Sequence, residues 1–338
     1  MIRGRSIGRW RFLTVIVSII EIKEKAEYRV DVHPEIAAVL ARRAALNLPP
    51  YSAGTPQAAR DAFAASQAAL PKDRGAPVHA IVNEAIAAAD GGAVTVRRYR
   101  PSAAETTARI VYLHGGGWVF GTLDAFDPVC RELAVAADAE VVSVDYRLAP
   151  EHAFPGPLDD AFAALSQVAA WDPDLPLAVM GDSAGGNLAA ACALKARDGG
   201  PRIDLQVLLY PITDHDFERP SYAKYGGGGF LLSRTDMEWY WRHYAAPERR
   251  ADPLASPLRA PDLSGLPPAL LVVAGCDPLR DEGLAYAEAL KAAGVVTTTE
   301  LHGDMTHGFF TMVGLLGPAD EAARRIGREI GRRLHAAR

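Results

Sequence analysis

The chain has 338 residues, of which 49% are hydrophobic and 23% charged, with a formal net charge of −5 at pH 7. This length allows one large α/β domain or two smaller ones, each with a substantial buried core. The slightly acidic balance gives no electrostatic case for a nucleic-acid partner. The three cysteines, Cys130, Cys192 and Cys276, are odd in number and widely spaced. They predict neither a disulfide framework nor a metal site, and they favour a reducing compartment, the cytoplasm.

The chain begins with a basic and then an apolar segment. Arg3, Arg5, Arg9 and Arg11 precede the apolar run 12–20, an order typical of a signal peptide. However, no Ala-x-Ala-like cleavage site follows, and the run is shorter than the roughly 20 residues that span a bilayer. We therefore expect an N-terminal extension rather than export or stable membrane insertion.

Helical patterns come next, before any strand. Residues 33–48 have the apolar spacing of an amphipathic helix. Thr55 is predicted to cap a second helix, which runs from residue 56 to about residue 70. We expect residues 1–77 to form an N-terminal extension and cap helices.

The rest of the chain, residues 78–338, alternates strands with helical patterns. Residues 78–87 and 94–99, joined by a glycine-containing turn, predict an antiparallel pair. Further apolar runs predict strands at 109–113, 140–144, 177–180, 205–210, 269–274 and 296–301. Alternation of this kind predicts an α/β fold, with a mostly parallel eight-stranded sheet flanked by helices.

Residues 211–265 interrupt this alternation. The segment contains no strand pattern but does contain a predicted helix that carries Trp239, Tyr240, Trp241 and Tyr244. We interpret the segment as a cap insertion over the carboxyl edge of the sheet. Each aromatic side chain alone is expected to serve packing, and as a group they are expected to form a hydrophobic lid over an acyl pocket.

The pentapeptide Gly181-Asp-Ser-Ala-Gly185 follows the fifth predicted strand and precedes an alanine-rich helical segment. Strand, sharp turn and helix form the context of a nucleophile elbow, with Ser183 at its apex. The helix N-terminus favours the negative charge that develops in acyl transfer. An ordinary glycine-rich turn has the same pentapeptide, so catalysis further requires a base, an acid that orients the base, and oxyanion donors.

A glycine-rich segment, 112–118, follows the third predicted strand, where α/β-hydrolases place half of the oxyanion hole. We predict that the N–H groups of Gly115 and Gly116 are donors, together with the N–H of Ala184 from the elbow. His114 is expected to hold this loop rather than to perform chemistry. The glycines lack the spacing of a dinucleotide or phosphate loop.

The predicted acid and base follow the last two strands. Asp277 comes just after the seventh strand and His307 just after the eighth. The order Ser183, Asp277, His307 is the order of α/β-hydrolases. Asp281 and Glu282, one helical turn after Asp277, are expected to be surface or supporting groups.

At this point the sequence resembles a known family. The motifs that carry the resemblance occur in the same order as in that family: His114-Gly-Gly-Gly117, Asp145-Tyr-Arg-Leu-Ala-Pro-Glu-His152, Gly181-Asp-Ser-Ala-Gly-Gly186, Asp277-Pro-Leu-Arg-Asp-Glu282 and His307-Gly-Phe309. The chain is similar, over about residues 78–310, to the hormone-sensitive-lipase-like (bacterial family IV) esterases of the α/β-hydrolase superfamily. The resemblance implies an eight-stranded sheet with a helical cap, and hydrolysis of small carboxylic esters with short acyl chains through an acyl-enzyme. It also implies frequent homodimers and no cofactor or metal.

One position departs from this resemblance. Many relatives have glycine three residues before the catalytic histidine, where this chain has Asp304. A second carboxylate near His307 is expected to favour the protonated imidazole and to shift the working pH upward. His302 is expected to be structural.

Other charged residues of the motifs are given supporting roles. Asp145, Arg147 and Glu151 are expected to form a buried network that braces the oxyanion loop. Asp182 is not expected to be the triad acid, because adjacent side chains on an elbow point apart.

Two alternatives remain open from the sequence. The same triad could hydrolyse amides or transfer acyl groups, since only the leaving group or the second nucleophile differs. A non-catalytic small-molecule receptor could use the same fold, although such a protein is expected to lose a triad residue, and all three are present here.

Overall fold

The structure, a computed structural model, describes residues 32–88 and 90–337. The basic and apolar N-terminal segment, with our expectation of an extension, lies outside these residues. Within the described ranges, no helix is long and apolar enough to cross a membrane.

The core of the protein is one eight-stranded sheet with the order β1-β2-β4-β3-β5-β6-β7-β8. Pairs β1–β2 and β2–β4 are antiparallel and the other pairs are parallel, which confirms the predicted mostly parallel sheet. The strands are β1 (Ala80–Ala87), β2 (Ala93–Arg100), β3 (Arg109–Leu113), β4 (Glu140–Asp145), β5 (Leu177–Asp182), β6 (Leu205–Leu209), β7 (Ala269–Cys276) and β8 (Thr297–Thr306).

Strand β8 extends five residues beyond its predicted end, and it is irregular. Ala274 pairs with His302 and Cys276 pairs with Thr306, so β8 bulges between these two positions. A Cβ atom at Gly275 would overlap the backbone of Gly303, which is why the close approach at the bulge requires glycine. The prediction ended this strand at residue 301 because polar residues follow. An edge strand does not require an apolar run, so these residues can still belong to it.

Helices cover both faces of the sheet. They are α1 (Pro34–Ala45), α2 (Pro56–Ala68), α3 (Leu123–Ala137), α4 (Gly156–Trp171), α5 (Ala184–Arg197), α6 (Pro220–Tyr225), α7 (Arg234–Tyr244), α8 (Arg280–Ala292) and α9 (Gly317–Ala336). Helices α3 and α9 pack in one hydrophobic cluster on one face of the sheet, and α4, α5 and α8 pack in the other. The predicted cap of α2 is present, because the Thr55 hydroxyl accepts the N–H of Ala58 at 3.2 Å.

Helices α6 and α7 lie in the segment between β6 and β7, where the described chain has no strand. A capping box of Ser233 and Asp236 starts α7. Trp241 and Tyr244 on this helix are fully buried, and all its aromatic side chains join the hydrophobic cluster of α4, α5 and α8. The helix is therefore anchored to the body of the protein at the carboxyl ends of the strands, where the motif residues lie.

Candidate active site

Ser183 occupies the sharp turn between β5 and α5. Its backbone has φ 54° and ψ −117°, a conformation that non-glycine residues rarely adopt. A Cβ atom at Gly181 would overlap the backbone of Gly185, and a Cβ at Gly185 would overlap the carbonyl oxygen of Leu113. The two glycines thus allow the tight turn, and the N–H of Ser183 is fixed by the carbonyl oxygen of Leu209 at 2.9 Å. This is the strained geometry of a nucleophile elbow.

The structure brings Ser183, His307 and Asp277 together from three different loops. His307 Nε2 lies 2.9 Å from Ser183 Oγ, and His307 Nδ1 lies 2.7 Å from Asp277 Oδ2. Asp277 is fully buried, and its other carboxylate oxygen accepts the N–H of Leu279 at 2.9 Å. Serine, imidazole and carboxylate therefore form one continuous chain of hydrogen bonds, which is the arrangement that activates a serine hydroxyl.

The glycine loop, residues 114–120, requires one correction to the predicted donors. The N–H of Gly115 donates to Asp182 Oδ1 at 2.8 Å, so it is not free to bind an oxyanion. Among the described residues, none accepts a hydrogen bond from the N–H groups of Gly116 or Gly117. The N–H of Ala184 lies in the first turn of α5, where N–H groups have no partner within the helix. The N–H groups left available to a ligand are therefore those of Gly116, Gly117 and Ala184, and Gly117 was not among the predicted donors.

Asp182, beside the nucleophile, turns its carboxylate toward the glycine loop. Its Oδ1 accepts the hydroxyl of Tyr112 at 2.7 Å as well as the N–H of Gly115. Burial raises the pKa of Asp182 to about 6, although these two hydrogen bonds act in the opposite direction. The expectation that Asp182 is not the residue paired with His307 agrees with this orientation. The sequence contains one indication of this contact. A carboxylate at the end of an apolar strand is expected to be buried, and a buried carboxylate requires hydrogen-bond donors nearby.

His114 is enclosed beneath the glycine loop. Its Nδ1 lies 2.8 Å from the carbonyl oxygen of Gly115, and its ring stacks on Tyr146 with 4.4 Å between the ring centroids. Burial lowers the pKa of His114 to about 4, so the ring is neutral at pH 7. The Tyr146 hydroxyl in turn donates to the carbonyl oxygen of His114 at 2.6 Å. These contacts agree with a residue that holds the loop.

The aromatic side chains of α7 pack directly on the glycine loop. The ring of Trp118 stacks on Tyr244 with 3.9 Å between centroids and contacts Trp241 at 5.1 Å, edge to face. A Cβ atom at Gly117 would overlap the ring of Tyr240. The position of α7 therefore limits the conformations available to the loop.

The expected buried network of Asp145, Arg147 and Glu151 is wrong. Asp145 is exposed, Arg147 pairs with buried Asp160 at 2.7 Å, and Glu151 pairs with Arg60 on α2. Asp145 is the last residue of β4, whereas Arg147 and Glu151 lie in the irregular segment that follows, so the three side chains have different surroundings. The loop is still braced from this side, since Arg60 also donates to a main-chain carbonyl oxygen of the glycine loop at 2.9 Å.

Glu282 is not a surface group. It is fully buried, and its Oε1 accepts the N–H of Thr213 at 2.8 Å. Burial raises the pKa of Glu282 well above its usual value. Asp281 accepts the N–H of Ser221 at 2.8 Å, so both carboxylates tie α8 to the segment that follows β6.

Asp304 is exposed on β8, and its carbonyl oxygen accepts the N–H of His33 at 2.9 Å. Burial lowers the pKa of His302, and the charge of Asp304 acts in the opposite direction. His302 Nε2 lies 3.1 Å from a guanidinium nitrogen of Arg325, consistent with a structural residue. The effect of Asp304 on the working pH stays a prediction.

Comparison with known proteins identifies the family. The family model described as alpha/beta hydrolase fold matches residues 110–311. The chain is 44% identical over 256 residues to a carboxylic ester hydrolase of Mycobacterium tuberculosis, covering 72% of this chain and 68% of that protein. It is 39% identical over 307 residues to the ethyl acetate hydrolase of Pseudomonas putida, covering 86% and 96%.

Solved structures agree. A thermostable esterase from Pseudomonas putida superposes with a TM-score of 0.84 at 33% identity, covering 91% of this chain and 99% of that chain. A hyperthermophilic esterase from Pyrobaculum calidifontis gives a TM-score of 0.81 at 37% identity, covering 90% and 99%. The chain belongs to the α/β-hydrolase fold family, in its hormone-sensitive-lipase-like group of esterases. It is a carboxylesterase-type hydrolase.

Proposed function

We propose that the protein hydrolyses small carboxylic esters with short acyl chains, with Ser183 as nucleophile, His307 as general base and acid, and Asp277 as the residue that orients His307. The observation that carries this proposal is the chain of hydrogen bonds from Ser183 Oγ through His307 to Asp277, at 2.9 and 2.7 Å. No step requires a metal or an organic cofactor.

The reaction follows from this geometry. Neutral His307 takes the proton of Ser183 Oγ as the oxygen attacks the ester carbonyl, and Asp277 stabilises the imidazolium that forms. The oxyanion accepts hydrogen bonds from the N–H groups of Gly116 and Gly117 and from Ala184. His307 then protonates the departing alcohol, and a water molecule activated by the same imidazole hydrolyses the acyl-enzyme.

The preference for short acyl chains rests on the space above the glycine loop. In our proposal, residues 32–77 and 211–265 form a cap, and α7 is its central element. The buried rings of Tyr240, Trp241 and Tyr244 fill the region next to the loop. A long acyl chain would have to displace these rings, whereas an acetyl or butyryl group would not. The relative from Pseudomonas putida, named an ethyl acetate hydrolase, acts on an ester of this size.

The experiment is a rate profile on p-nitrophenyl esters with acyl chains from two to twelve carbons, together with the matched p-nitroanilides. We expect kcat/KM to be highest for the short esters and to fall by at least about tenfold towards the longest. The methylene groups of a long acyl chain that the rings exclude from the site contribute no binding energy to the transition state. Faster turnover of the anilides than of the esters would replace the proposal with amide hydrolysis. Inactivity of the folded protein on every ester would reject it.

We further propose a homodimer in the cytoplasm. Strand β8 is the last strand of the described sheet and carries exposed Leu301, so its outer edge is suited to pairing with a second copy. The three cysteines are buried and form no disulfide with one another, which suits a reducing compartment. Light scattering after size-exclusion chromatography should give twice the chain mass, and fractionation of the native cells should place the protein with the cytoplasmic fraction. A monomer, or recovery in another fraction, would reject the respective proposal.

A further inference from the structure

Three consecutive peptide units of the glycine loop are anchored, the first at both its carbonyl oxygen and its N–H, and the next two at their carbonyl oxygens. In the unit between His114 and Gly115, the carbonyl oxygen accepts the Tyr146 hydroxyl at 2.6 Å and the N–H donates to Asp182 at 2.8 Å. In the next unit, the carbonyl oxygen of Gly115 contacts His114 Nδ1 at 2.8 Å. In the third unit, the carbonyl oxygen of Gly116 accepts the N–H of Val119 at 3.1 Å.

Because the peptide bond is planar, each anchored group also determines the direction of the other polar group in its peptide unit. Within one peptide unit the carbonyl and the N–H point in opposite directions, so fixing one fixes the other. Anchoring the carbonyl oxygens of Gly115 and Gly116 therefore fixes the N–H groups of Gly116 and Gly117, the two donors of the loop. Asp182 fixes the first unit of this series, where the loop leaves β3.

Asp182 also joins the two halves of the oxyanion hole. It is the last residue of β5 and immediately precedes Ser183 and Ala184, which supplies the third donor. Asp182 is 4% exposed, and a Cβ atom at Gly115 would overlap its carboxylate, so the loop and the elbow are in direct contact there. Keeping a carboxylate at such a buried position costs desolvation energy that an apolar residue would not, so fold stability alone gives no reason for it.

We propose that Asp182 is a positioning residue for ester hydrolysis, whose carboxylate holds the Gly115 peptide so that the N–H groups of Gly116 and Gly117 point at the oxyanion. The inference rests on the proposed function of the site. Asp182 does not touch the substrate, and it acts through the orientation of the loop. Its contribution belongs to the transition state, because the ester carbonyl becomes an oxyanion only there.

The test compares Asp182→Ala with Asp182→Asn on a short p-nitrophenyl ester. Alanine removes the acceptor, and we expect kcat to fall by about 100-fold with KM within about threefold, as for a displaced oxyanion donor. Asparagine keeps an oxygen at the position of Oδ1, which can accept both hydrogen bonds, so we expect its kcat to stay within about tenfold of wild type. A trifluoromethyl ketone, which forms a tetrahedral oxyanion adduct with a serine, should lose affinity for Asp182→Ala by the same factor as kcat.

Several outcomes would overturn the inference. They are an Asp182→Ala kcat within about threefold of wild type, equal loss in the alanine and asparagine variants, or a loss confined to KM. If Asp182→Ala does not fold, the kcat of Tyr112→Phe tests the inference instead. It removes the other donor to Oδ1, and we expect a several-fold loss of kcat, so an unchanged kcat would reject the inference.

Asp160→Asn is the matched control. Asp160 is also a fully buried carboxylate, but its partner is Arg147, so this variant should change stability without changing kcat or KM. The activity of the wild type distinguishes failure of the proposed function from failure of the role proposed for Asp182. A wild type that is inactive on all esters rejects the proposed function, whereas an active wild type with an equally active Asp182→Ala rejects only the role of Asp182.

Discussion

Ser183→Ala is expected to lower kcat on short p-nitrophenyl esters by about 10⁶-fold, to the level supported by binding and the oxyanion donors alone. The hydroxyl that His307 contacts at 2.9 Å is the only part of the site that this substitution removes. Alanine has the same backbone requirements as serine, and the turn is held by glycines 181 and 185, so the variant should fold. The measurements are steady-state kinetics and the midpoint of thermal unfolding.

Covalent labelling gives a second measurement of the same prediction. An organophosphate ester should add one phosphoryl group to wild type, with the added mass on the peptide that contains Ser183, and no group to Ser183→Ala. Ser166→Ala is the control, because the Ser166 hydroxyl donates to the carbonyl oxygen of Phe162 within α4 and lies outside the site. Turnover by Ser183→Ala above about one thousandth of the wild-type rate would assign the nucleophile to another residue.

The spacing of neighbouring residues in the sequence was enough to predict the nucleophile elbow and the buried strands, because these elements depend mainly on residues close in the chain. The elbow required only two glycines around Ser183, a buried strand before it and a helix after it. The strands β3, β5, β6 and β7 are buried along their whole length, so each contains an apolar run that is visible in the sequence. Strand β8 is an edge strand with a bulge, and its polar second half gave no such signal.

The direction of individual main-chain groups could not be read from the sequence. Gly115 was predicted to be an oxyanion donor because glycine permits the geometry, but its N–H is taken by Asp182, 67 residues later in the chain. The same limit explains Asp145, Arg147 and Glu151. Their clustering in the sequence predicted one network, whereas Arg147 pairs with a residue of α4 and Glu151 with a residue of α2, which only the folded chain brings close. Residue types were predictable, and partners across the fold were not.

Asp277→Asn is expected to lower kcat by about 10⁴-fold near pH 7 with little change in KM. The amide is nearly the same size, but its N–H₂ can donate to His307 Nδ1, which favours the tautomer with the proton on Nε2. That nitrogen faces Ser183 Oγ and must be unprotonated to accept its proton. The variant also loses the negative charge that stabilises the imidazolium in the transition state.

Asp281→Asn is the matched control, since Asp281 belongs to the same sequence motif but accepts the N–H of Ser221 instead of contacting His307. It should keep kcat within about threefold of wild type, because the triad is untouched. An Asp277→Asn variant with more than a tenth of wild-type kcat would mean that another carboxylate orients the imidazole. Asp182 is the neighbouring candidate, because it interacts electrostatically with His307: burial raises the pKa of Asp182 to about 6, and the interaction with His307 opposes this rise. The double variant Asp182→Asn/Asp277→Asn would then lose the remaining activity, whereas additive effects of the two substitutions would keep their roles separate, one on the imidazole and one on the oxyanion loop.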